Sequence, residues 1–394
     1  MTNGKDIPYF WNGDTGTDLA ALTNWDTNER CASIHAFKNY LVALDITKSS
    51  TRFPYMVKWS HAAVPGSLPD SWDETNVTKD AGEQDLAETP DLIVDALPLG
   101  DSLIIYKERS AYAMRFIGQP FIFQFQRIPG DFGMLAKGCG AVTPVGHVIL
   151  TSGDVIVNSG QGPVSIADGV VRRAIFGTMD STNYKNSFVA VNPQKNEVLI
   201  CFPSDGSTYC TKAAVWNWET KVWGFRDLPN VTYGAHGLLN LNFNADWSSD
   251  SDPWYYDISY WSENEYSPNE ARLILSSSTK ILAFDVGATL DGTPFPGVLE
   301  RSGLHFDDPY TMKLCRSVYP KIDSDIGTEV SIEVGASYFP DEPPTWGAPM
   351  IFRVGQDVKV DSFATGRYMA VRISCEVPFR IRSMDLDIVS TGVY

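Results

Sequence analysis

Short runs of β-branched and aromatic residues, separated by tight-turn signals, constrain this chain more than any other feature. His147–Leu150 and Asp154–Asn158 flank Gly153-Asp154, and Phe188–Val191 and Glu197–Phe202 flank Asn192–Asn196. Connections this short return the chain beside itself as antiparallel hairpins and leave no room for a helical crossover. Tyr40–Ile46, Leu103–Tyr106, Tyr112–Ile117, Phe121–Ile128, Ala213–Trp218, Leu273–Leu275 and Lys280–Asp285 read as further strands. Few windows carry apolar residues at helical spacing. The expected class is all-β.

An all-β chain of 394 residues has to manage its sheet edges by closing a barrel, stacking two sheets, or repeating radially as a propeller. Units of two to four strands can be traced near 35–60, 92–130, 137–170, 185–230 and 270–300. Their content is that of a propeller blade. The expectation is an irregular β-propeller of short antiparallel sheets over residues 1–300. Residues 301–394 carry longer alternating strands, among them Arg316–Ile322, Glu329–Val334, Met350–Arg353, Asp357–Val360, Tyr368–Ser374 and Arg380–Val389. They read as an additional C-terminal β-sandwich-like portion.

Charge narrows the partners. Forty-eight acids against 31 bases leave a net charge of −17, which disfavours tight, sequence-independent nucleic-acid binding. No positive stretch leads into an apolar run at the amino end, and no run is long enough to span a membrane, so neither a secretory leader nor membrane insertion is expected. The six cysteines form no CxxC pair and read as free buried thiols of a reducing compartment.

Two acidic stretches, Leu68–Ala96 and Asn244–Ala271, read as long loops. The second holds seven acids, no base and seven Trp or Tyr residues. Within it Asp246, Trp247, Asp250, Asp252, Trp254, Tyr255, Tyr256, Asp257, Tyr260 and Trp261 are the candidate subunit or partner interface. Large rigid rings bury area there at low entropic cost. The same residues suit a sugar platform, but the aspartate spacing lacks the central glycine of a calcium loop.

Catalytic motifs are missing: there is no GxSxG, HExxH, GxxxxGK[ST] or GxGxxG, and no helical pair of histidines. No catalytic residue, cofactor or metal is expected. His147, at a strand start among apolar neighbours, reads as a hydrogen-bonded structural histidine. Ser204-Asp205-Gly206 is only a fragment of the sialidase hairpin.

Several phrases occur in an order that resembles the tail nozzle (tail tube or hub) proteins of short-tailed bacteriophages. They are Phe37–Leu44, Val57-Lys58-Trp59-Ser60, Asp70-Ser71-Trp72 and Ala81-Gly82-Glu83. Leu103–Lys107, Ala111–Met114 with Gly118, Val215–Trp218 with Lys221-Val222-Trp223, and Gly366-Arg367-Tyr368 with Val371-Arg372-Ile373 follow. The resemblance implies a non-enzymatic virion subunit, assembled in the host cytoplasm. It implies a hexameric homo-oligomer ring that extends the DNA ejection channel below the portal and adaptor proteins and supports tail fibres or spikes. DNA would pass without specific binding. Other readings are a neck, stopper or fibre-adaptor protein, and a carbohydrate-binding or depolymerising propeller. The chain departs from the family in being short, with about 35 residues before the first matched strand.

Overall fold

A computed structural model describes residues 1–238, 271–286 and 289–393. The chain is all-β, and the only α-helix among the described residues is α1, Gly169–Phe176. It divides into two compact units, Met1–Phe284 and Asp285–Tyr394.

The first unit contains four antiparallel meanders in chain order. Sheet 1 is β1 (Glu29–Phe37), β2 (Tyr40–Lys48), β3 (Thr51–Trp59) and β4 (Gly82–Asp85). Sheet 2 is β5 (Ile93–Leu99), β6 (Ser102–Lys107), β7 (Ala111–Phe116) and β8 (Phe123–Arg127). Sheet 3 is β9 (Gly140–Thr143), β10 (Gly146–Leu150), β11 (Val155–Asn158) and β12 (Pro163–Ser165). Helix α1 follows. Sheet 4 has six strands: β13 (Phe188–Asn192), β14 (Glu197–Phe202), β15 (Cys210–Asn217), β16 (Trp223–Leu238), β17 (Ala271–Ser277) and β18 (Ile281–Ala283).

Side-chain alternation explains how these sheets stack. Successive residues of a strand point to opposite faces, and in β6 Leu103 and Ile105 join one core with sheet 1 while Ile104 and Tyr106 join another with sheet 3. Strand β14 does the same: Val198, Ile200 and Phe202 face the sheet 2–3 side, whereas Leu199 and Cys201 face Phe188, Leu228 and Leu275. A strand buried on both faces has to be apolar throughout, which is why LIIY and VLICF show no alternation of polarity. The opening strands β1, β5, β9 and β13 are neighbours, each of the next. The outer face of sheet 1 is covered by Leu22, Trp25 and Trp72.

Most polar groups inside these cores are paired, whereas Ser33 Oγ, Ser187 Oγ and Trp72 Nε1 are buried without a hydrogen-bond partner among the described residues. His147 has no exposed surface; its Nε2 lies 2.8 Å from Pro98 O and its Nδ1 2.8 Å from Tyr106 Oη, which also accepts from Asn158 Nδ2 at 2.9 Å. The structural reading of this histidine therefore holds. All six cysteines are free and buried. Burial pushes the Cys31 thiol up to about 11 and Cys210 up to about 12, so both stay protonated.

Two expectations for the first unit are corrected. Residues 270–300 do not make a fifth unit: β17 pairs with β16 across Leu238↔Ala271, so it extends sheet 4 despite the long intervening segment. The Leu68–Ala96 stretch is not all loop, because it contains β4 and the start of β5. Helix α1, which is not among the expected elements, buries Val171 and Ile175 and is started by Asp168, whose side chain accepts from the Val170 and Val171 amides.

The second unit is a sandwich of two antiparallel sheets. One contains β19 (Gly297–Leu304), β21 (Glu329–Ser337), β22 (Thr345–Trp346), β23 (Met350–Arg353) and β25 (Tyr368–Cys375). The other contains β20 (Thr311–Asp323), β24 (Val360–Gly366) and β26 (Arg380–Val393). Val330, Ile332, Val334, Met369, Val371 and Ile373 from the first meet Cys315, Val318 and Val360 from the second. Strand β24 begins at Val360, so the expected strand Asp357–Val360 is instead a turn entering it. Arg353 donates its amide to Asp357 Oδ2 at 2.8 Å there.

Candidate functional site

The ten residues singled out as an interface, Asp246, Trp247, Asp250, Asp252, Trp254, Tyr255, Tyr256, Asp257, Tyr260 and Trp261, lie outside the described residues. Their attachment is described: β16 and β17 keep a continuous register from Gly234↔Leu275 to Leu238↔Ala271. The acidic, aromatic sequence thus joins two paired strands of sheet 4.

Sheets 1, 2 and 3 are tied by a polar seam on their opening strands. His35 Nε2 of β1 sits 2.8 Å from Asp95 Oδ1 of β5. The other oxygen, Oδ2, accepts from the Gly138 amide at 3.1 Å, just before β9. Lys137 Nζ donates back to Ala32 O at 2.7 Å. Burial alone would raise the Asp95 carboxyl, but His35 and the Gly138 and Ala96 amides outweigh it and hold the group below its ordinary value. The sequence gives little sign of this seam, since its members are 60 residues apart in the first bond and 105 in the last.

A second polar cluster fastens the connection between β3 and β4. Lys58 is almost fully buried and donates to Glu29 Oε2 at 2.7 Å and to Glu74 Oε2 at 2.9 Å. Lys48 donates to Glu74 Oε1 at 3.0 Å and Glu83 Oε2 at 2.6 Å. Beside this cluster Trp59 Nε1 donates to Asp80 O at 2.8 Å. Gly82 leaves Trp59 room that a Cβ would take, lying 2.6 Å from Cζ2. Trp72 meets Trp25 edge to face at 4.6 Å. Lys58-Trp59, Trp72 and Gly82-Glu83, marked in the sequence only as phrases, are therefore parts of one built loop anchor. Its one sequence signal is Lys58 inside the apolar run Tyr55–Trp59, opposite Glu83 in register.

At the end of sheet 2 an aromatic rim reaches solvent. Phe116, Ile117 and Phe121 are 43%, 52% and 72% exposed. Phe116 packs on Tyr40 and Phe123, and Lys38 Nζ stands 5.9 Å from its ring centroid. Exposed rings backed by a packed core suit a contact surface. A separate cleft of about 430 Å³ is lined by Glu108, Asp131, Asp154 and Arg109, with Asp154 held by Arg172 Nη2 at 2.9 Å. Among the described residues no group of three or more His, Cys, Asp or Glu side chains is placed to hold a metal ion, and no helix is long and apolar enough to cross a membrane.

No family model matches the chain, and no curated protein matches it.

Proposed function

We propose that this chain is a structural subunit of a short-tailed phage tail. Six copies form a ring that extends the DNA channel below the portal and adaptor and carries fibres or spikes. In this reading the first unit is an irregular β-propeller whose blades are the four meanders, and the protein works by shape without catalysis.

The observation that supports the reading is where the phrases that resemble those of the tail nozzle proteins fall in the fold. They fall on sheets 1, 2 and 4 and on β24 and β25 of the second unit, and those of the first unit include packing or anchoring residues: Trp59 against Gly82 in sheet 1, Leu103–Lys107 in the centre of sheet 2, Trp216 beside Trp223 in sheet 4. The net charge of −17 is compatible with a channel that lets a polyanion slide. Stacking of the sheets in chain order through neighbouring opening strands suits radial repetition.

Electron microscopy of the purified full chain, alone and with its adaptor, tests the proposal. A six-fold ring with a bore of about 20 Å or more is expected, wide enough for duplex DNA. Replacing Trp254, Tyr255 and Tyr256 with Ser should dissociate that ring and leave the far-ultraviolet circular dichroism unchanged. A compact monomer under both conditions, or a bore lined mainly by Arg and Lys, overturns the reading.

A further inference from the structure

The sandwich unit has a cleft of about 560 Å³ where β21 and β22 stand apart from β24. That volume is in the range of small-ligand sites. Its lining includes Tyr338, Trp346 and Phe363 together with Thr345, Thr365 and Asp361. Phe363 is 84% exposed and Tyr338 55%. Both stand in water although an equally exposed polar side chain would satisfy the sheet.

Trp346 is held rigidly. Arg372 lies 4.2 Å from its ring centroid and is itself fixed by Glu300 at 3.0 Å and Glu333 at 3.3 Å. Gly335 admits the ring where a Cβ would stand 2.9 Å from Cε3. The site therefore does not depend on a loose loop to place its largest ring, and little ordering cost falls on binding.

The polar groups of the lining decide the ligand class. The Tyr338, Thr345 and Thr365 hydroxyls and the Trp346 indole N–H make no hydrogen bond to any described residue. A purely apolar ligand or side chain seated here would bury those groups unpaired, which is costly. Asp361 is the only charged residue of the lining and is already engaged by Lys359 Nζ at 2.6 Å and by Ser317 Oγ at 2.8 Å. A second anion gains nothing beside it. A pyranose ring meets both demands, with a C–H face for an aromatic ring and a rim of hydroxyls for the free donors and acceptors.

We infer that this cleft binds a neutral oligosaccharide, with Phe363 and Trp346 as apolar walls and the Tyr338, Thr345 and Thr365 hydroxyls as hydrogen-bonding partners. The inference does not depend on ring formation. It adds a recognition site to the second unit and requires no bond to be broken.

The test is titration of the full chain with maltohexaose, cellohexaose, chitohexaose and mannohexaose, and with oligosialic acid as an acidic control, followed by tryptophan fluorescence and calorimetry. Saturable binding of at least one neutral glycan is expected. Phe363→Ala should weaken it about tenfold and Tyr338→Phe about fivefold, each with an unchanged melting temperature. Phe363 is so exposed that its truncation leaves the core intact. No binding by any neutral glycan, binding of the acidic control alone, or binding indifferent to both substitutions overturns the inference. So does a change in sedimentation on Phe363→Ala without neutral-glycan binding, because the cleft would then be a protein contact.

Discussion

At the scale of single residues, the chain spends its buried charges on fastening loops. Glu74 reaches back from the β3–β4 connection to two lysines of sheet 1. Burial by itself raises its carboxyl, but hydrogen bonds from Lys58, from its own backbone and from Lys48 prevail and bring it down to about 2, against an ordinary value of 4.5. A folded-state value below the unfolded one stabilises the protein above the unfolded pKa, and that stability is lost as pH falls through the folded pKa. The native protein should therefore lose stability between about pH 4.5 and pH 2 in part through Glu74. Glu74→Gln should cost about 1–3 kcal/mol at pH 7 and flatten the acid limb of a melting-temperature profile. Parallel profiles for the two proteins would refute this role. Gly82 offers a steric counterpart. Gly82→Ala drives a methyl into the Trp59 ring and should lower stability by about 1–3 kcal/mol, read from urea denaturation. An unchanged midpoint would mean that the indole moves freely, contrary to its bond with Asp80 O.

At the scale of elements, the legibility of the sequence follows burial. Strand β14 was readable to its ends because Val198–Phe202 is an unbroken apolar run that follows Glu197 and is closed by Asn196 at one end and Pro203 at the other, with Asn196 at φ +56° in the left-handed region. Strand β19 was not readable, because Val298, Leu299, Glu300 and Arg301 are all exposed and follow no binary pattern; only its pairing with β25 makes it a strand. Helix α1 escaped notice for a related reason, since two arginines and two small residues dilute its apolar stripe to Val171 and Ile175. The loop anchor of Lys58, Glu29, Glu74 and Lys48 was equally opaque. Its charges come from four separated positions, and apart from Lys58 within its apolar run each looks in sequence like a solvated surface residue.

At the scale of the whole molecule, a separate core for the second unit explains the change in strand character near residue 300. The sandwich core draws all its members from residues beyond Phe284. A fragment Asp285–Tyr394 should therefore fold by itself, giving a cooperative thermal transition and dispersed amide resonances. A fragment that stays unfolded in native buffer would show that its strands rely on the first unit. The phage-tail reading belongs to this scale too, because a ring is a property of several copies and no single side chain encodes it.

By itself, the sequence determined the all-β class, the antiparallel pairing of neighbouring strands and the buried state of His147 and the cysteines. Turn chemistry and apolar runs act within a few residues, and their effect is local. Only the tertiary structure decided that β17 extends sheet 4, that His35 and Asp95 tie neighbouring sheets, and that Tyr338, Trp346 and Phe363 line one cleft. These are contacts between residues far apart in the chain, set by which faces pack together, and no local pattern carries that information.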